Sequence, residues 1–394
     1  MDKKPEKLVP EVRFKGFTDD WEQRKGKSIF YSKSNKDFPE LTVLSATQDK
    51  GMVPRSSTGI DIKYEKKSLR GYKKIEPGDF VVHLRSFQGG FAYSDLTGIV
   101  SPAYTIFTFK QPEMFNNYFW KEKFTSYNFI QLLKKVTYGV RDGRSISYSD
   151  FLTLNEKFPI KVEQTKIADL FKIIDKLITL QQRKLEQLKR LKTAMLQQLL
   201  ANQSFPKVRF NDFKDSWKDY RLGEVFDEFS VKSKRENEYK LLSSTTSGME
   251  SRSGRVSGHS NIGYKVIDNG DIVLSPQNLW LGNINLNNMG KGIVSPSYHT
   301  FKIVNANPIF VNFQLKTKKM LFEYKMVSVQ GASIVRRNLD MDAFKKIVIK
   351  IPNEKEQIKI ASLFSSISNI INNHQNKLTQ LTTLKKYLLQ KMFI

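Results

Sequence analysis

Two Glu-x-Lys triplets, Glu238-Tyr239-Lys240 and Glu323-Tyr324-Lys325, have the residue types of a nuclease metal centre. No Pro-Asp partner is well placed for either, and such triplets arise by chance in a chain with 65 Lys and Arg. The four histidines, His83, His259, His299 and His374, are scattered and have no spacing suited to a metal. His83 and His299 fall in predicted strands and read as packing or surface residues. The chain has no cysteine, which excludes disulfides, thiolate metal sites and a Cys nucleophile. Neither a Gly-x-Gly-x-x-Gly nor a Gly-x-x-x-x-Gly-Lys-Ser/Thr run occurs, so no dinucleotide or P-loop phosphate cradle is expected. Gly89-Gly90 reads as a turn, and the Asn/Asp-Pro-Pro-aromatic motif of adenine methyltransferases is missing. No residue is assigned a catalytic or metal-binding role.

What remains is charge. Against 65 Lys and Arg stand 39 Asp and Glu, a formal net charge of +26. An excess of this size repels itself in a folded chain and suits a polyanionic partner, most commonly nucleic acid. An anionic membrane surface is the competing polyanion. The start, Met1-Asp2-Lys3-Lys4-Pro5-Glu6, is charged and does not read as a signal peptide. No apolar run approaches the ~20 residues that span a bilayer, so no membrane partner is expected. The missing cysteines fit a reducing cytoplasm, the expected location.

The elements that must position any binding residues are written twice. Pro10-Glu11-Val12-Arg13-Phe14 returns as Pro206-Lys207-Val208-Arg209-Phe210, and Phe17, Trp21 and Phe30 return as Phe213, Trp217 and Phe226, each 196 residues later. Leu44-Ser45 matches Leu242-Ser243, and Gly51-Met52 matches Gly248-Met249. Gly71-Tyr72-Lys73 matches Gly263-Tyr264-Lys265, Gly78-Asp79 matches Gly270-Asp271, and Gly98 to Tyr104 matches Gly292 to Tyr298. Between these islands the copies diverge, as where the segment Val82 to Gly90 faces Leu274 to Gly282. A common scaffold carrying two different surfaces is the expectation. Aromatics could stack bases, but Phe14, Phe17, Trp21, Phe30 and Tyr104 recur in both copies and so read as scaffold.

The end of each copy is periodic. Apolar residues fall at Ile167, Leu170, Ile174, Leu177, Leu185, Leu188, Leu191, Met195 and Leu199, and again 193 residues later at Ile360, Leu363, Ile367, Ile370, Leu378, Leu381, Leu384, Leu388 and Met392. Steps of three and four without Pro or Gly make one apolar stripe on a helix. Glu163 to Leu199 would span about 55 Å at ~1.5 Å per residue. A helix that long with one apolar seam needs a partner helix, and its own repeat, running antiparallel, is the obvious one. The domain parts read as mixed α/β: a Pro-Gly-Asp turn entering a strand at Lys74 to Val82, strands at Ile99 to Pro102 and Ala103 to Phe109, and a helix over Gln111 to Lys135 with Tyr118, Phe119, Phe124 and Tyr127 facing a core. The expected fold class is α+β: two tandem α/β recognition domains separated by two long antiparallel coiled-coil helices, with a pseudo-two-fold internal repeat. The expected boundaries are 1–160, 161–202, 203–353 and 354–394.

These motifs, in this order and twice over, resemble the specificity (S) subunit of type I restriction–modification systems. The resemblance rests on Val9 to Phe17 with Trp21 and its reprise at Lys207 to Trp217. It rests also on the Gly-Asp strand starts, on the Gly139 to Phe151 and Gly331 to Phe344 segments, and above all on Pro-…-Glu-Gln-…-Ile-Ala-…-Leu-Phe at Phe158 to Phe171 and Ile351 to Phe364. Lys161 and Asn353 stand where a second proline or an apolar residue is common in that family. The resemblance implies two target recognition domains, each reading one half of a split, asymmetric double-stranded DNA site, with the helices as ruler and docking surface. It implies assembly with two modification subunits, which hold S-adenosylmethionine and methylate adenine, and with two ATP- and Mg-dependent restriction subunits. No cofactor is expected on this chain.

Phosphate contacts come from Lys, Arg and Ser/Thr, and base readout from Arg, Gln and Asn on the divergent loops. The candidates are Arg55, Arg85, Gln88, Arg141 and Arg144 in the first copy, and Arg252, Arg255, Gln277, Asn278, Arg336 and Arg337 in the second. For each the alternative is a solvated surface side chain. Arg141 to Arg144 and Arg336 to Asn338 follow matched glycines and are the favoured pair. Two rival readings remain: a basic coiled-coil scaffold for RNA or acidic partners without duplex specificity, and an enzyme with an unfamiliar site.

Overall fold

The structure, a computed structural model, describes residues 8–47, 50–59, 66–82, 90–138, 145–200, 203–252, 260–330 and 337–394. The chain divides into two compact units, one of Met1–Gln182 with Asn376–Ile394, the other of Arg183–Gln375.

In the first unit, β1 (Glu22–Lys25), a single helical turn α1 (Gly26–Ile29) and β2 (Phe30–Lys33) are followed by β3 (Leu44–Thr47), β4 (Gly51–Pro54), β5 (Lys73–Ile75), β6 (Phe80–Val82), β7 (Phe91–Tyr93), β8 (Gly98–Val100) and β9 (Thr105–Phe109). Helices α2 (Asn117–Thr125) and α3 (Tyr127–Leu133), the hairpin of β10 (Thr137–Tyr138) and β11 (Ser145–Ile146), the turn α4 (Tyr148–Phe151) and β12 (Asn155–Phe158) lead into α5 (Lys161–Leu199). One antiparallel sheet has the order β2-β9-β6-β7. The pairs β3–β4 and β5–β8 lie beside it, joined by a parallel bridge between Val43 and Ile99. The period of two sorts side chains between two cores: Phe80 and Val82 enter an aromatic cluster with Phe30, Phe107, Phe124 and Trp120, while Val81 joins Leu44, Met52 and Ile106.

The second unit repeats this order. Strand β13 (Lys218–Arg221), turn α6 (Leu222–Val225) and β14 (Phe226–Phe229) precede β15 (Lys240–Ser244), β16 (Met249–Ser251), β17 (Lys265–Ile267), β18 (Ile272–Leu274), β19 (Ile284–Leu286), β20 (Gly292–Val294) and β21 (His299–Ile303). Helices α7 (Pro308–Gln314) and α8 (Lys318–Met326), the hairpin of β22 (Ser328–Gln330) and β23 (Arg337–Leu339), α9 (Met341–Lys346) and β24 (Val348–Ile351) lead into α10 (Glu354–Lys391). The sheet orders, β14-β21-β18-β19 and β16-β15-β20-β17, are those of the first unit, with β15 and β20 parallel where Val43 and Ile99 bridge.

The repeated motifs turn out to be spent on this scaffold. Gly78 and Gly270 adopt φ of +96° and +95°, and the following carboxylates close the turn: Asp79 accepts from Glu76 N at 2.9 Å and Asp271 from Asp268 N at 2.7 Å. A Cβ on Gly98 would lie 2.6 Å from Leu44 Cγ and from Thr42 O, and one on Gly292 2.4 Å from Leu242 Cδ1, so each glycine and its matched leucine form one close contact. Lys73 and Lys265 donate to the carbonyls of Tyr104 and Tyr298 at 2.7 and 2.6 Å.

The start of each long helix is locked the same way. Arg13 binds Glu163 through two bonds of 2.8 Å, and Arg209 binds Glu356 through bonds of 2.7 and 2.6 Å. Both carboxylates are buried. Gln164 bridges Pro159 O and Asn116 N, and Gln357 bridges Pro352 O and Asn307 N. Phe17 and Phe213 lie under the ammonium groups of Lys166 and Lys359. Asn353, one departure from the family's pattern, accepts from Glu356 N at 3.0 Å as a helix cap.

Within each unit the two long helices run antiparallel. In the first, Phe171 meets Phe393 and Asp175 meets Lys385; in the second, Lys192 meets Ser368. The α+β class, the internal repeat and the antiparallel helices are thus as the sequence led one to expect. Three details differ. Leu177 and Leu191, with their counterparts Ile370 and Leu384, stay exposed, whereas Phe171 and Phe364, outside the assigned stripe, are fully buried. The reason is that each helix start is covered by its own domain as well as by the other helix, which widens the buried face there. The helix expected over Gln111 to Lys135 is two helices, because Ser126 turns extended and caps α3 by accepting from Phe129 N. Tyr127 then opens α3 and is 54% exposed, not in the core.

The interiors of the copies differ in one respect. In the first unit Lys123 of α2 and Glu156 of β12 form a fully buried ion pair at 3.3 Å. Burial pushes the Glu156 carboxyl up and the Lys123 amine down. At the equivalent places the second unit has Gln314, which donates to Lys350 O, and Ile349.

Candidate nucleic-acid interface

In the order of the chain the candidate residues fall at the same three places in each copy: after β4 or β16, between β6 and β7 or β18 and β19, and between β10 and β11 or β22 and β23. Arg85, Gln88, Arg141, Arg144, Arg255 and Arg336 lie outside the described residues. The other five can be placed.

In the first unit Arg55 opens a short 3₁₀ turn after β4. Its Nε donates to Ser45 Oγ at 3.1 Å, and its guanidinium lies 5.8 Å from the Tyr72 ring centroid. In the second unit the β18–β19 loop and the hairpin meet. Arg337 N donates to Gln277 O at 3.1 Å. The Arg337 guanidinium lies 5.1 Å from the Trp280 ring centroid and donates through Nη1 to Ser328 O at 3.1 Å. Gln277 is exposed and Asn278 half-buried, the latter preceding the 3₁₀ turn Leu279–Leu281 and accepting from Leu281 N at 3.1 Å. Gln277, Asn278 and Arg337 are therefore brought together, with the Arg337 charge partly engaged by its own scaffold. Arg252 is exposed and sits apart: it pairs with Leu241 O, at the end of the β15–β16 hairpin remote from the β18–β19 loop.

A buried polar network holds that loop, and reading the sequence did not find it. Asn283 accepts from Ser244 Oγ at 2.6 Å; Asn285 donates to Ser244 Oγ and to Thr245 O at 2.7 Å. Lys316 then donates to Gly282 O at 2.6 Å and to Asn285 Oδ1 at 2.8 Å. Burial, and then the charge of Lys192, push the Lys316 amine down to about 8. The alternation Asn283-Ile284-Asn285-Leu286-Asn287 was the available signal: polar side chains on one face of a strand whose other face is core. The chemical capacity of the residues brought together here is donation and acceptance of hydrogen bonds beside the Arg337 guanidinium. Among the described residues no group of three or more His, Cys, Asp or Glu is placed to hold a metal ion, and no helix is long and apolar enough to cross a membrane. His299 lies at the start of β21, 2.6 Å from Glu228, and Tyr324 of the second Glu-x-Lys triplet is core.

Comparison with known proteins agrees with this architecture. Over 98% of this chain and 99% of the other, the fold matches the crystal structure of the type I restriction–modification S subunit from M. genitalium, with a TM-score of 0.60 at 14% identity. A second match, from a structure on complex assembly and conformational transition of the type I R-M system, covers 98% of both chains with a TM-score of 0.52 at 15% identity. These likenesses establish the fold. Residues 214–383 match the family model of the type I restriction modification DNA specificity domain. No curated protein sequence matches the chain. The resemblance to S subunits carried by the motifs thus extends to the fold of the whole chain.

Proposed function

We propose that this chain is the sequence-specific DNA-recognition subunit of a type I restriction–modification complex. Its recognition domains, 1–160 and 203–353, read the two halves of a bipartite, asymmetric duplex site, and its helical segments, 161–202 and 354–394, serve as spacer and docking surface. The chain is non-catalytic and cytoplasmic. It directs adenine methylation and restriction by two modification and two restriction subunits, on which S-adenosylmethionine, ATP and Mg are held.

One observation carries the reading. Two copies of one scaffold spend their shared motifs on turns, close contacts and helix locks, while the sequences between those motifs differ, as where Val82 to Gly90 stands against Leu274 to Gly282. Shared framework with divergent loops is what reading two unlike half-sites requires. The net charge of +26 supplies the complement to phosphate. The test is selection from a randomised duplex library by the full chain, with and without modification subunits. Two short fixed blocks at constant spacing are expected. No enrichment with the partners present refutes the proposal and favours a scaffold for RNA or acidic partners.

A further inference from the structure

Helices α3 and α8 are equivalents, capped by Ser126 and Thr317. Their inward faces correspond: Phe129 and Leu133 are buried in the first copy, and Met320 and Tyr324 in the second. Their outward faces do not. Phe322 and Met326 of α8, one turn apart and so on one face, are 61% and 66% exposed, and Val329 of β22 is 69% exposed. At the places of Phe322 and Met326 the first copy has Gln131 and Lys135. Exposed Lys318 and Lys325 lie to one side of Phe322 and exposed Lys319 to the other, and Glu323, half-buried, is the one carboxylate between Leu315 and Val329. The patch adjoins the candidate cluster, since the Arg337 guanidinium that rests on Trp280 also reaches Ser328 O and Lys325 O, at 3.1 and 3.5 Å.

We infer that the outer face of α8, with Phe322 and Met326 beside Lys318, Lys319 and Lys325 and with Val329 just after the helix, is a specificity-determining surface of the second copy that takes the 5-methyl groups of thymine in duplex DNA. The inference rests on the proposed function and deepens it. An apolar group among cations suits a groove where methyl groups lie between two lines of phosphate. A protein partner docking on both copies alike would require the same residues on both. A surface that reads different sequences requires a difference such as the one observed, where Phe322 and Met326 of one copy stand at the places of Gln131 and Lys135 in the other.

The test uses the full chain and the duplex it selects from a random library, beside the same duplex with uracil for thymine in one block at a time. The wild-type chain is expected to lose about fourfold in affinity per methyl contacted, in one block only. Phe322→Ser/Met326→Ser, both exposed and so compatible with folding, is expected to bind both duplexes equally at the weaker level. Lys325→Gln is expected to lower the slope of log affinity against log salt. Equal binding of thymine and uracil duplexes by the wild type overturns the inference, as does a double variant that keeps the discrimination. A double variant with unchanged DNA binding but impaired assembly with co-expressed subunits overturns it and assigns the patch to protein. If the wild-type chain enriches no duplex, it is the proposed function that has failed, and this inference with it.

Discussion

Glu356→Gln should unfold the second unit far more readily than its single atom exchange suggests. The carboxylate is fully buried and takes both bonds of the Arg209 fork, at 2.7 and 2.6 Å. The neutral amide offers one acceptor where the guanidinium presents two donors, and leaves a largely buried cation unpaired. Breaking one partner of a buried pair costs about 3–5 kcal/mol. With a urea dependence of about 3 kcal/mol/M, the midpoint should fall by roughly 1–2 M. Urea titration followed by hydrogen exchange would localise the loss to peptides around Arg209 and the start of α10. The double variant Arg209→Met/Glu356→Met removes both charges and should recover more than half of the loss, because the cost lies in the orphaned charge. A double variant as unstable as the sum of its singles would refute the reasoning. Glu163→Gln should behave alike in the first unit, where the bonds are both 2.8 Å.

Four further outcomes are expected. The Lys316 amine, pushed from 10.5 to about 8 by burial and by Lys192, is charged in the native state well below pH 8 and carries a cost of about 3 kcal/mol there. Between pH 8 and 10.5 the unfolded chain holds this proton and the native one does not, so stability rises with pH; the rise, measured by urea midpoints, should flatten in Lys316→Met. Gly98→Ala should lower stability by about 1–3 kcal/mol by overpacking against Leu44 and the Thr42 carbonyl, and an unchanged urea midpoint would count against that contact. Arg337→Ala should destabilise the β22–β23 hairpin by about 1 kcal/mol through its lost bond to Ser328 O, whereas Arg252→Ala should leave stability within about 0.5 kcal/mol and reduce the salt dependence of DNA binding by about one counterion.

The sequence made the repeat, the helix pair and the fold class legible because one chain carried two versions of each motif. Arg13 and Arg209, or Gly98 and Gly292, mark positions that a scaffold holds fixed while its loops vary. Exposure was less legible. The spacing of Leu177 and Leu191 matches that of Ile174 and Leu185, yet only the latter two are covered. Tyr127 read as core because nothing local announced that Ser126 would end one helix and start another. The Lys316 network needed Gly282, Asn285 and Lys192 brought together across the fold, and one-dimensional spacing does not encode that. The outward face of α8 was missed because Phe322 and Met326 satisfy a core pattern until the side facing solvent is known.

The buried pair of Lys123 and Glu156 has a consequence for inheritance. The two domains share one scaffold, and the matched motifs give the register in which a segment of one would replace the same segment of the other. A crossover between α2 and β12 would place Lys123 opposite Ile349, or Gln314 opposite Glu156, burying one charge with no counterion at a cost of about 3–5 kcal/mol. Exchange of a whole domain, by contrast, carries the pair along intact. The interior thus acts as a filter that discards scrambled domains and lets complete ones pass, and soluble expression of the two kinds of hybrid would measure how strict that filter is.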